Sequence, residues 1–164
     1  MKKTLLSLLL MASALMAEVS NVEVSTEFVE ANKIKIIDIR TEGEWKKMGI
    51  IPTAHLLTFF DEGQSYEPRF FLKDLDEIVD KDEQFAIISN TASRTKLVSN
   101  YLGNKHNYNV VNLIGGMEKL IEDGYEVEVY DPDKELVLEE EIEQVESEES
   151  NISIDDTTEK LIIK

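Results

Sequence analysis

Residues 89–95 read Ser89-Asn90-Thr91-Ala92-Ser93-Arg94-Thr95, between the apolar run Phe85-Ala86-Ile87-Ile88 and a helical pattern. A strand that passes through such a polar loop into a helix start turns several backbone N–H groups toward one point. The helix dipole adds partial positive charge there and Arg94 adds a full one, so the pattern suits an oxyanion cradle. The same residues also fit a plainer role. Ser89, Ser93 and Thr95 would then be turn and cap residues, and Arg94 a surface or ion-pairing side chain. Two more segments reach the same end of the sheet: Asp38-Ile39-Arg40 and Gly115-Gly116. Ligands of open parallel sheets bind beyond the carboxyl ends of the strands, which makes Asp38 and Arg40 supporting candidates. Asp38 is expected to hold the loop or Arg94.

Other chemistries are poorly supplied. The chain of 164 residues has no cysteine and only two histidines, His55 and His106. Disulfide frameworks, thiolate metal sites and cysteine nucleophiles are excluded, and no metal or cofactor is expected. Ser89 as a nucleophile needs a base within reach. His55 falls at the start of a strand and His106 beyond the helix that follows the loop, so an enzyme acting on an anionic ester through Ser89 and Arg94 stands only as an alternative. Asp61-Glu62-Gly63 with Glu67 lacks the alternating carboxylate spacing of a calcium loop and reads as a solvated turn. Trp45 and Phe59-Phe60 read as core rather than as an exposed patch.

The elements that position the loop follow from hydrophobic pattern. Residues 34–39 form a short apolar strand, and Thr41-Glu42-Gly43-Glu44 starts a helix with a capping box. Residues 54–59 read as a second strand. Pro68 opens a helix through Val79, with Phe71, Leu72, Leu75, Ile78 and Val79 on one face. Residues 85–88 are a buried strand, residues 95–102 a helix, residues 110–113 a strand and residues 117–123 a helix ended by Gly124. Residues 22–24 offer an edge strand. Alternation of helices with short strands apolar on both sides implies an α/β fold with a mostly parallel sheet.

Charge divides the chain unevenly. The formal net charge is −17, which disfavours nucleic acid as a partner. Residues 1–17 carry Lys2 and Lys3 and no acid, then an apolar run from Leu5 to Ala17. This is the pattern of a secretory signal peptide, with cleavage expected after Ala17 or else Ala14. It is shorter than the roughly 20 apolar residues of a membrane span. The mature protein is expected to be soluble, without a membrane span, and periplasmic or secreted. Residues 131–164 carry thirteen acids against three lysines. They read as an acidic, largely disordered tail, in which Leu138, Ile142 and Val145 keep helical spacing.

Residues 18–130 resemble a rhodanese-like domain. Asp38-Ile39-Arg40 with Glu42, Glu44 and Trp45 resembles that family's Asp-x-Arg strand end followed by a glutamate and an aromatic. Gly49-Ile50-Ile51-Pro52-Thr53-Ala54 resembles its Gly-His-Ile-Pro-Gly-Ala turn, and residues 85–95 its strand and Cys-Arg-x-Gly-x-Arg-Ser/Thr loop. Leu113-Ile114-Gly115-Gly116 and Gly124-Tyr125 resemble its closing motif. The resemblance implies a central, mostly parallel five-stranded sheet flanked by helices. It also implies that the persulfide cysteine is replaced by Ser89, the next arginine by Asn90 and the loop glycine by Ala92, while Arg94 and Thr95 remain. The expected function is that of an inactive sulfurtransferase homologue that binds either a small oxyanion at the loop of residues 89–95 or a protein partner at that loop and the acidic tail. A purely structural or assembly role is the other alternative.

Overall fold

The computed structural model describes residues 18–133. The expected signal peptide at 1–17 lies outside the described residues, as does the tail beyond Asp133. The elements below all belong to one compact unit, which ends at Val129.

Five parallel strands make one sheet. They are β1 (Val19–Glu23), β2 (Ile36–Asp38), β3 (Ala54–Leu56), β4 (Gln84–Ile88) and β5 (Asn109–Ile114), in the order β1-β5-β4-β2-β3. Five helices connect and flank them: α1 (Thr26–Ala31), α2 (Glu42–Met48), α3 (Pro68–Ile78), α4 (Ser93–His106) and α5 (Gly116–Glu122). The alternation read from the sequence is the architecture observed.

Side chains on β4 show why both faces of the sheet are dry. Successive strand residues point to opposite faces. Phe85 and Ile87 join Phe71, Leu75, Val98 and Leu102 in one core layer. Ala86 and Ile88 join Val29, Met117 and Leu120 in the other. These four apolar residues of β4 are fully buried, as the run requires in a strand covered by helices on both sides. Trp45 and Phe59 are buried as expected, and Phe60 is partly buried against the first layer.

Some boundaries differ from the sequence reading. The strand expected over 54–59 ends at Leu56. Beyond it the Leu57 amide still reaches the Asp38 carbonyl (3.0 Å), but the Thr58 hydroxyl takes the Arg40 carbonyl (2.8 Å) and the Phe59 amide meets the Ile39 carbonyl only at 3.5 Å, so the regular ladder lapses. Helix α4 runs from Ser93 to His106, longer at both ends than the apolar spacing suggested. Helix α1 was not anticipated: its signal is Ser25, whose side chain accepts from the Phe28 amide (3.2 Å), ahead of only one buried residue, Val29.

Candidate anion-binding loop

The loop of residues 89–95 leaves β4 in the middle of the sheet and enters α4. Ser89 is fully buried, and its hydroxyl has no hydrogen-bond partner among the described residues. Thr91 and Ser93 are exposed, with their hydroxyls 3.2 Å apart. Ala92 sits in the left-handed region (φ 66°, ψ 3°), where a side chain costs about 1 kcal/mol relative to glycine. Its carbonyl accepts from the buried Thr95 hydroxyl (3.0 Å) and the Lys96 amide (3.2 Å), which closes the first turn of α4. The N-cap residue of α4 has no side-chain hydrogen bond and its first turn holds no acid, so this fourteen-residue helix supplies no cap or counter-charge of its own to its positive end.

Two tethers hold this loop. On one side, the Ser89 and Asn90 carbonyls accept from the Met117 and Glu118 amides (2.9 and 3.0 Å), and the Asn90 side-chain amide donates to Glu118 (2.7 Å). Gly116 makes that approach possible. It has φ +65°, and a Cβ there would lie 2.4 Å from both carbonyl oxygens. On the other side, Arg94 donates through both terminal nitrogens to the Glu44 carboxylate, at 2.8 and 2.5 Å. Glu44 also closes the capping box of α2 by accepting from the Thr41 amide (3.1 Å). Burial works to raise the Glu44 carboxyl. The hydrogen bonds from Arg94 and Thr41 and the charges of Arg94 and Arg40 outweigh it and hold the group below its ordinary value.

Asp38 and Arg40 lie at the end of β2, both fully buried, and they bind each other. Arg40 Nε lies 3.0 and 2.9 Å from the two Asp38 oxygens and Nη2 lies 2.6 Å from Oδ2. The same Nη2 donates to the Gly49 carbonyl (2.8 Å), so the pair pins the turn after α2 to the sheet. The sequence reading gave Asp38 the task of holding the loop or Arg94. The residue that holds Arg94 is Glu44, which the sequence marks as a helix cap and as part of the family motif but not as this partner. Its capping-box spacing was visible, but its second contact, fifty residues away, was not.

A nucleophilic Ser89 finds no support in this geometry. Its hydroxyl has no acceptor in place among the described residues. His55 sits on β3 opposite Ile37, and His106 ends α4, packing on the Tyr101 ring at 4.7 Å between centroids. Among the described residues no helix is long and apolar enough to cross a membrane.

A family model described as "Rhodanese-like domain" matches residues 21–123. No curated protein matches the chain. Among solved structures, a rhodanese-like domain protein from Staphylococcus aureus is 24% identical, with 66% of this chain and 98% of that one covered and a TM-score of 0.48. A protein from Staphylococcus saprophyticus is 27% identical over 63% of this chain and 97% of its own, with a TM-score of 0.47. A rhodanese-related protein from Thermoplasma volcanium is 18% identical over 66% and 98%, with a TM-score of 0.49.

Proposed function

The chain belongs to the rhodanese-like domain family, and from that membership and its lack of any cysteine we propose that it is an exported, non-catalytic member that binds a small oxyanion at residues 89–95. Sulfur transfer in this fold needs a thiolate to carry the persulfide, and Ser89 offers only a hydroxyl. What supports binding is the state of that hydroxyl. It is buried and unpartnered at the foot of a polar loop that leads into an uncapped helix start. An unsatisfied buried hydroxyl costs about 1–3 kcal/mol, and an oxyanion oxygen seated in the loop would satisfy it together with free backbone amides.

The test is an amide NMR titration of the full chain with sulfate, phosphate and thiosulfate, with Ser89→Ala as control. The reading expects saturable shifts confined to residues 89–95 and weakened in the variant, with no turnover of thiosulfate and cyanide. Absence of shifts at millimolar anion, or turnover abolished by loop substitutions, would overturn it.

A further inference from the structure

We propose a second binding surface, independent of the loop: the cleft between residues 57–67 and the first turns of α3 docks an arginine or lysine side chain carried by an extended segment of a partner protein. The cleft encloses about 300 Å³, and no residue of the 89–95 loop lines it. Its aromatic lining includes Phe59, Tyr66 and Phe70, and its carboxylates are Asp61, Glu67 and Asp74.

The aromatic wall is built from the inside outward. Phe59 is buried and meets Phe71 edge-on, with centroids 4.8 Å apart. Tyr66 stacks on the other side of Phe59 at 5.7 Å with the rings 16° from parallel. That stack leaves Tyr66 56% exposed, and Phe70 is 67% exposed. Phe70 cannot follow its neighbour Phe71 inward, because adjacent residues on a helix point about 100° apart. The sequence therefore places two large rings at a cleft mouth with more than half of each left in solvent.

Charge selects the occupant. Aromatic faces carry negative potential, and a cation over them is attracted further by nearby carboxylates. Asp61 uses Oδ1 to accept the Ser65 amide (2.8 Å), which fixes the loop. Glu67 makes no ion pair among the described residues, and Asp74 lies 3.9 Å from Lys73, whose closer partner is Glu77 at 3.1 Å. Lys73 does not line the cleft. The net charge of −17 turns away acidic partners. A lone small cation would leave the outer ring faces of Tyr66 and Phe70 wet. A segment with apolar residues beside its basic one covers both, which is why the geometry points to a peptide chain rather than a free amine.

The probe is N-acetyl-Leu-Arg-Leu-amide, titrated by NMR against the full chain, with N-acetyl-Leu-Glu-Leu-amide and tetramethylammonium as comparators. The expected result is saturable shifts within residues 57–74 that weaken with salt, are absent with the glutamate peptide, and are about fivefold weaker in affinity in Phe70→Ser. Phe70 is exposed, so the variant keeps its fold, and Asp74→Asn provides a second variant with the same expected direction. No shifts, or equal shifts with both peptides, overturns the proposal. Equal binding of tetramethylammonium overturns the assignment to a peptide segment.

Discussion

Arg94 and Glu44 stand fifty residues apart in sequence and meet in two hydrogen bonds of 2.8 and 2.5 Å, one from each terminal nitrogen to each carboxylate oxygen, both side chains mostly buried. Arg94 therefore does not present a free cation to the loop. An anion at residues 89–95 competes with the Glu44 carboxylate for the guanidinium. Replacing Glu44 by glutamine keeps an oxygen acceptor for the Thr41 amide and removes the competing charge. Glu44→Gln is expected to bind sulfate several-fold more tightly than the wild type and Arg94→Ala more weakly, both read by isothermal titration. Equal affinities across the three proteins would mean that Arg94 serves only as a structural tie.

The same pair predicts a dependence on acid. The folded-state carboxyl of Glu44 lies below its ordinary value of 4.5, so its contribution is complete above that value and is lost as pH falls through the folded one. Urea unfolding between about pH 5 and about pH 3 should show the wild type losing more stability than Glu44→Gln. Parallel decline of the two proteins would remove Glu44 from the acid response.

The fold was legible because its signals are local. The continuous apolar run of β4 marks a strand buried on both faces, and Pro68 with its spaced Phe71 and Leu75 marks α3. What stayed hidden needed distant contacts. Glu44 carries a local signal for capping that masks its ion pair with Arg94. Asp38 and Arg40 are two residues apart and bind each other, so their placement at the carboxyl end of β2 suggested a ligand where the structure shows a clamp on Gly49. The docking of Asn90 on Glu118 had no signal at all beyond Gly115-Gly116, whose freedom announced a close approach without naming what approaches.

Ala92 holds φ 66°, where its methyl is unfavourable. Glycine would relieve that strain but also loosen the unfolded chain, so the net gain of Ala92→Gly is expected near 0.5 kcal/mol and below about 1 kcal/mol. Thermal unfolding checks it. A loss of stability would show that the methyl makes packing contacts that outweigh the backbone strain.

Gly116→Ala should act in the opposite direction and harder. A methyl group 2.4 Å from the Ser89 and Asn90 carbonyl oxygens, on a backbone at φ +65°, has no flexible neighbour to displace. Either α5 withdraws or the loop does, and the bonds to the Met117 and Glu118 amides break. A destabilisation of about 2 kcal/mol or more is expected by urea unfolding. Faster hydrogen exchange at the Met117 and Glu118 amides would locate the damage, whereas unchanged exchange there would refute the coupling between loop and helix.

Ser89→Ala separates a binding hydroxyl from a structural one. In the free protein the hydroxyl is buried without a partner, a state that costs stability, whereas a methyl at the same place costs none. The variant should therefore be as stable as the wild type or more stable by up to about 1 kcal/mol, a rise in Tm of up to about 4 °C for a domain of this size. Its affinity for sulfate should fall at the same time, since the anion loses a donor. A structural serine would show lower stability on truncation and unaltered anion binding. Stability and affinity thus separate the two roles, so one variant measured twice decides between them.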